Sequence, residues 1–141
     1  MTLDQIDLIQ SSFAKVAPIA GEAARIFYAR LFEIAPEVRP LFHTELSEQG
    51  KKLMSVLAFA VNGLRAPETI ILAAEQLAIR HLDYGVRPEH YAPVGEALIH
   101  TLEKGLGAAF TEEVRQAWLA AYALLSGVMI KAAYGAARAA E

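Results

Sequence analysis

Apolar residues recur at steps of three and four over long segments of this chain, and prolines lie between those segments. This spacing places the apolar side chains on one face of an α-helix. Runs in which β-branched and polar residues alternate, which would predict strands, are scarce. The pattern therefore predicts an all-α fold.

The limits of the helices follow from the same pattern and from its stop signals. We expect helices over about 4–17, 20–35, 47–62, 88–106 and from 112 onward, another that ends near His81, and a short helical turn over 36–42. Pro18, Pro36 and Gly63 end three of these segments. Thr111, followed by two glutamates, has the chemistry of an N-cap.

Composition restricts the class of protein. The chain has 141 residues, no cysteine and a formal charge of −3, with both signs of charge interspersed. This length suits one domain over residues 1–141, and the charge pattern offers no basic face for nucleic acid. The start, Met1-Thr2-Leu3-Asp4, lacks the features of a signal peptide, so we expect a cytoplasmic protein. The apolar segment 118–130 is too short to span a bilayer and predicts a buried helix, with no membrane partner.

His81 is the first polar residue that interrupts an apolar face. It continues a stripe that includes Ile70, Ala74, Leu77 and Ala78. One interpretation is a buried imidazole bonded to a carbonyl, because buried polar groups nearly always find a partner. The other is a ligand to a metal or to haem. The residues around His81 leave both interpretations open.

Tyr28 and Gln49 interrupt the apolar stripes of two other helices in the same way. Each has an ordinary interpretation, as a core tyrosine with a bonded hydroxyl and as a partly exposed glutamine. Three such residues together suggest a shared apolar cavity with a few polar groups. A zinc or non-haem iron site needs three or four protein ligands, but only one histidine lies on an apolar stripe. Haem, which needs one axial imidazole, fits this set better.

The chain resembles the globins over essentially its full length, and among them the bacterial single-domain haemoglobins and the haem domain of flavohaemoglobins. The resemblance lies in the order and spacing of several segments: 27–32, 36–42, Gln49 with Leu53, Arg80-His81, 88–91 and 117–118. It implies a three-on-three helical sandwich with a short or absent D helix. It also implies the cofactor haem b.

The resemblance further implies roles for individual residues. His81 would be the proximal iron ligand, and Tyr28 and Gln49 the distal pair, with Phe27 beside them. Phe42 would wedge the haem at a corner. The remaining implied haem contacts are Lys52, Leu53, Val56, Leu77, Arg80, Val86, Tyr91, Val94 and Leu98. Arg80 and Lys52 are candidates for the propionates, although Lys52 also has the ordinary interpretation of a solvated charge.

These roles predict a protein that binds dioxygen, nitric oxide and carbon monoxide. A gas that becomes partly negative on haem would accept hydrogen bonds from Tyr28 and Gln49, and neither donor titrates between about pH 4 and 9. We therefore expect tight oxygen binding with little pH dependence. The expected assembly is a monomer or a weak homo-oligomer.

Two departures from the flavohaemoglobins bear on the alternative function of nitric oxide dioxygenase. The glutamate that in those proteins joins the proximal histidine and the tyrosine corresponds to Ala133. No glycine-rich nucleotide motif appears, so sustained turnover would need a separate reductase. A third possibility is a haem-free helical interaction domain, against which His81 and Phe42 argue.

Overall fold

The computed structural model describes residues 1–42, 45–83 and 87–135. Within these ranges the chain forms six α-helices, and the expected all-α fold is confirmed. The helices are α1 (Leu3–Val16), α2 (Ala20–Ile34), α3 (Leu46–Asn62), α4 (Pro67–Asp83), α5 (Tyr91–Leu106) and α6 (Glu112–Ile130). Short 3₁₀ segments occupy Ala17–Ile19, Pro36–Leu41, Pro88–His90 and Gly107–Ala109, and a π-helical turn, Lys131–Gly135, continues α6.

The six helices pack as two layers of three. The layer of α2, α5 and α6 lies on the layer of α1, α3 and α4, with α2 against α3, α1 against α5 and α6, and α4 against α6. This is the three-on-three sandwich that the sequence predicts. In the described residues between Leu41 and Leu46 no helix is present, which agrees with a short or absent D helix.

Local sequence signals explain several helix limits. Thr2 caps α1 in a reciprocal capping box with Gln5. The predicted N-cap at Thr111 is confirmed, because its hydroxyl accepts a hydrogen bond of 3.2 Å from the Val114 amide. Gly63 ends α3 as expected. These caps satisfy amide groups that would otherwise lack a partner at the helix starts.

Two expectations about helix limits, and one about the length of an apolar segment, need correction. The fourth helix continues past His81 to Asp83. The fifth begins with a 3₁₀ turn over Pro88–His90 before α5 proper, because proline fixes the backbone there without donating a hydrogen bond. The apolar segment 118–130 belongs to a longer stretch, Glu112–Ala133, which by length and composition alone could cross a membrane. That stretch packs on α1, α4 and α5, and 22% of its apolar window is buried.

The core joins α1 to α6 through a buried polar contact as well as apolar packing. The four predicted inward residues of α1, Ile6, Ile9, Phe13 and Val16, are all buried. Trp118 donates a hydrogen bond of 2.9 Å from Nε1 to the Ser12 hydroxyl. That hydroxyl donates in turn to the Leu8 carbonyl, at 2.7 Å. These bonds fix α1 and α6 in register, although Ser12 and Trp118 are 106 residues apart in the sequence.

Candidate functional site

Tyr28 lies at the centre of an aromatic cluster where α2 meets the segment that follows it. Its side chain is only 5% exposed. Phe27 and Phe42 meet its ring edge to face, with centroids 5.1 and 5.4 Å away, and Phe32 stacks on it at 6.0 Å. The cluster brings together two of the predicted distal residues, Phe27 and Tyr28, with Phe42, the predicted haem wedge. It also fixes the orientation of the Tyr28 ring.

The start of α3 crosses α2 immediately beside this cluster. A Cβ atom at Gly50 would lie 2.8 Å from the Ala24 Cβ and 3.9 Å from Cε2 of Tyr28. Only a residue without a side chain permits this close crossing. The predicted distal residue Gln49 adjoins Gly50 and is half-buried. Sequence and backbone together therefore place Gln49 near the Tyr28 cluster.

Further along, α3 presents a row of apolar side chains. Leu53 and Leu57 are half-buried and pack against the core. Val56 is 42% exposed and Phe59 54% exposed, although both are large and apolar. Val56 and Phe59 lie three residues apart, so they are neighbours on the surface of α3. Lys52, predicted as a haem contact, is exposed.

On α4, His81 is half-buried, and its ring is oriented by the helix that carries it. Its Nδ1 atom lies 2.7 Å from the main-chain carbonyl oxygen of Leu77. A carbonyl can only accept, so Nδ1 carries a proton, and in the neutral ring Nε2 keeps its lone pair for a ligand. Such a bond is the usual support of a metal-binding imidazole. Arg80, next to it, is exposed, and Leu77 is half-buried.

The α5 helix contributes the remaining predicted residues. Tyr91 and Leu98 are buried and Val94 is half-buried. Leu98 and Val94 belong to the same apolar cluster as the residues around Tyr28. The packing of α2 against both α3 and α5 explains how residues from distant parts of the sequence share that cluster. Val86, another predicted contact, lies outside the described residues.

Burial tunes the chemistry of Tyr28. Loss of hydration raises the pKa of its hydroxyl to about 12, because the apolar surroundings disfavour the phenolate. The hydroxyl therefore stays protonated and able to donate a hydrogen bond at every physiological pH. A donor of this kind suits a ligand that carries partial negative charge.

The donor set fits haem better than a bare metal ion. Within the described residues, no group of three or more histidine, aspartate or glutamate side chains is arranged to hold a metal. One oriented imidazole, open apolar side chains on α3 and a buried phenol match the needs of a flat apolar cofactor that takes one axial ligand. The residues present thus fit the group that the sequence predicts.

Three contributors to the site were not identified from the sequence. Phe32 packs on both Tyr28 and Phe42, Gly50 sets the crossing of α2 and α3, and the Leu77 carbonyl orients His81. A glycine inside a helical pattern was the available signal for Gly50. The carbonyl lies four residues before His81, the spacing at which helical neighbours meet.

Comparison with known proteins gives a consistent result. The Globin family profile matches residues 25–129. A flavohemoprotein of Bordetella pertussis is 34% identical over 144 residues, which cover 97% of this chain but 36% of the relative. The chain thus spans about a third of the length of that flavohemoprotein. A neuroglobin of Dissostichus mawsoni is 31% identical, with 87% of this chain and 86% of the relative covered.

Two solved structures share the architecture. The bacterial globin of Campylobacter jejuni superposes with a TM-score of 0.84 at 26% identity, and the match covers 97% of this chain and 99% of that one. An engineered carbene transferase from Rhodothermus marinus, described as a candidate nitric oxide dioxygenase, superposes with a TM-score of 0.87 at 28% identity. The coverage there is 100% of this chain and 99% of the other.

Proposed function

The chain belongs to the globin family, and from this premise we propose that it is a haem protein that reversibly binds dioxygen and other diatomic gases. The family and its flavohemoprotein relatives imply a haem cofactor, and haem b is the form we propose. Residues 1–141 would act as one globin domain.

The observation that carries the proposal is the contact between His81 Nδ1 and the Leu77 carbonyl, at 2.7 Å. It assigns the proton to Nδ1 and leaves Nε2 as the atom for an axial bond. His81 would thus hold haem, with Phe42 and Leu53 on the distal side and Leu98 on the proximal side. The exposed Arg80 could pair with a propionate.

Haem, when bound, would supply an iron able to take a diatomic gas, on which partial negative charge would develop. The chain's own residues would act on that charge. Tyr28, held between three aromatic rings, donates a hydrogen bond without needing to reorient, and Gln49 offers an amide from α3. Leu53 and Phe27 exclude water, which makes each donor more effective.

Nitric oxide dioxygenation is the second candidate, favoured by the flavohemoprotein relatives and by the Rhodothermus marinus neighbour. It would need electrons from a reductase, which we propose as a partner. We place nitric oxide dioxygenation second because Ala133 stands where the flavohaemoglobins have a glutamate. The residue is 2% exposed, on a π-helical turn packed against α4, and it offers no carboxylate to make the His81 imidazole more basic.

The first experiment removes the proposed axial ligand. The protein carrying His81→Ala should lose the Soret band of haem, and free imidazole should restore part of it. His100→Ala is the matched control, since His100 is a half-buried histidine on α5 with no proposed role. Normal haem content in the His81 variant would refute the assignment.

A second experiment separates the two candidate functions. With haem-loaded protein, nitric oxide consumption is followed with and without an added reductase and reduced nicotinamide cofactor. Reversible gas binding as the main function predicts about one turnover per haem in either case. Sustained consumption that depends on the reductase would establish the dioxygenase instead.

A further inference from the structure

A cation–π contact covers the aromatic cluster around Tyr28. The guanidinium carbon of Arg39 lies 5.1 Å from the centroid of the Phe32 ring, within the distance of about 6 Å at which a ring face attracts a cation. Arg39 is exposed, whereas Phe32 is half-buried. The Arg39 side chain therefore covers part of a ring that would otherwise face water.

Phe32 connects this contact to two residues of the candidate site. Its ring stacks on Tyr28 with 24° between the planes and the centroids 6.0 Å apart. It also meets the Phe42 ring edge to face, at 5.5 Å. Because Tyr28 and Phe42 contact each other as well, the three rings form a closed triangle. A shift of the Phe32 ring would therefore displace both of its neighbours.

The main chain of Arg39 supports the same arrangement. Its carbonyl accepts a hydrogen bond of 3.2 Å from the Phe42 amide, at the end of the 3₁₀ segment Pro36–Leu41. Val38, next to Arg39, is 3% exposed and anchors that segment in the core. Arg39 thus reaches Phe42 by two routes, through its own carbonyl and through the Phe32 ring.

The guanidinium of Arg39 has a different kind of partner from several other arginines. Four of these pair with carboxylates: Arg25, Arg30, Arg65 and Arg115. Among the described residues no carboxylate pairs with Arg39. A solvated charge is the ordinary interpretation of an exposed arginine, but here the cation lies over a ring that belongs to the site.

We infer that Arg39 is a positioning residue: its guanidinium covers the Phe32 ring and thereby holds Tyr28 and Phe42 in the orientations that the distal side of the haem site needs. The inference rests on the proposed function, because the distal roles of Tyr28 and Phe42 do. Arg39 acts through Phe32 and touches neither cofactor nor gas.

The contact is tested first without haem, by a double-mutant cycle. Arg39→Met keeps a long apolar side chain and removes the cation. It should lower the equilibrium constant for folding about two- to fivefold, as expected for an exposed cation–π contact. The loss should disappear when Phe32→Leu is already present, because the ring is then absent. Urea unfolding measures the constant.

Arg115→Met is the matched control. Arg115 is an exposed arginine of α6 that pairs with Glu112 at 3.5 Å. Its substitution should have the same small effect with and without Phe32→Leu. An Arg39 effect that is equally large in both backgrounds would overturn the inference.

The wild-type protein provides a measurement for the case in which Phe32→Leu does not fold. A proton held over the face of a ring is shielded by the ring current. The side-chain protons of Arg39 should therefore resonate upfield of those of Arg115 in the proton NMR spectrum of the haem-free protein. Arg39 signals at the same positions as those of Arg115 would refute the contact, and the inference with it.

The effect on the site is tested with haem and carbon monoxide bound, from the infrared frequency of the C–O stretch. This frequency falls when a donor such as the Tyr28 hydroxyl bonds to the gas. Arg39→Met should add a band at higher frequency, from molecules in which Tyr28 is turned away. Arg39→Lys keeps the charge and should restore part of the wild-type spectrum.

Tyr28→Phe shows whether Arg39 acts through the Tyr28 donor. In that background Arg39→Met should leave the spectrum unchanged. The same new band without the Tyr28 hydroxyl, or no new band in its presence, would overturn the positioning role. If the wild-type protein binds no haem, the proposed function fails, while the unfolding cycle and the NMR spectrum still decide the contact.

Discussion

At the scale of single residues, Tyr28 combines a fixed ring with a hydroxyl that keeps its proton. Removing the hydroxyl in Tyr28→Phe should leave the aromatic cluster in place and remove one donor to the bound gas. A hydrogen bond to a charged acceptor contributes about 1.5–3 kcal/mol, so oxygen should dissociate about ten to a hundred times faster. Stopped-flow displacement of oxygen by carbon monoxide measures this rate.

Tyr28 also determines how the oxygen dissociation rate should depend on pH. Because the pKa of Tyr28 is raised to about 12, the hydroxyl is protonated in both folded states, with and without gas, at any pH below about 10. The oxygen dissociation rate of the wild-type protein should therefore stay constant from pH 5 to 8. A marked acceleration toward pH 5 would show that a titrating group, and not Tyr28, controls the distal side.

The sequence predicts individual polar residues better than their surroundings. Tyr28, Gln49 and His81 stood out because each interrupts a regular apolar stripe, and that signal is local. The Leu77 carbonyl could have been inferred from helix geometry, since it lies one turn before His81. The contacts of Phe32 with Phe42 and Arg39 could not, because they depend on how two segments meet in space.

At the scale of helices, the crossing of α2 and α3 depends on Gly50. A Cβ atom there would meet the Ala24 Cβ at 2.8 Å. Gly50→Ala should therefore lower the free energy of unfolding by about 1–3 kcal/mol through overpacking, even though alanine favours helix. Urea unfolding of the protein without haem measures the change.

Gly127, inside α6, provides the matched control for that substitution. Apart from its chain neighbours and the backbone of its own helix, no atom of the described residues lies within 4 Å of a Cβ built at this position. Gly127→Ala should stabilise the protein by about 0.5–1 kcal/mol, the difference in helix propensity. If both alanine variants changed stability in the same direction, the close crossing would not be the cause.

Helix positions were predictable to within a few residues because the apolar period of α1, α2 and α3 is regular and caps such as Thr111 mark the ends. The corrections concern the end of α4 and the start of α5. There the stop signals, glycine and proline, act over several residues and do not fix one limit. The sequence also could not show which helix packs against each apolar face. The apolar stripe of α1 is visible in the sequence, but the Ser12–Trp118 hydrogen bond links residues 106 positions apart.

At the scale of the whole molecule, α3 packs on α2 and α4 packs on α6, so the haem that we propose would contact two helices that are held by different parts of the core. Removing haem should therefore lower stability substantially. A ligand present at about a thousand times its dissociation constant adds about 4 kcal/mol. Thermal unfolding with and without haem should differ accordingly, and the difference should vanish in His81→Ala.

The hydrogen bond between His81 and Leu77 has a mechanical consequence. The acceptor belongs to the same helix as the ring, so the bond couples the orientation of the imidazole to α4. A small translation or rotation of α4 would therefore move Nε2 of His81 by a similar amount, because the bond limits rotation of the side chain. In the proposed haem complex, a force on the iron would therefore be transmitted through His81 and α4 to the contact between α4 and α6.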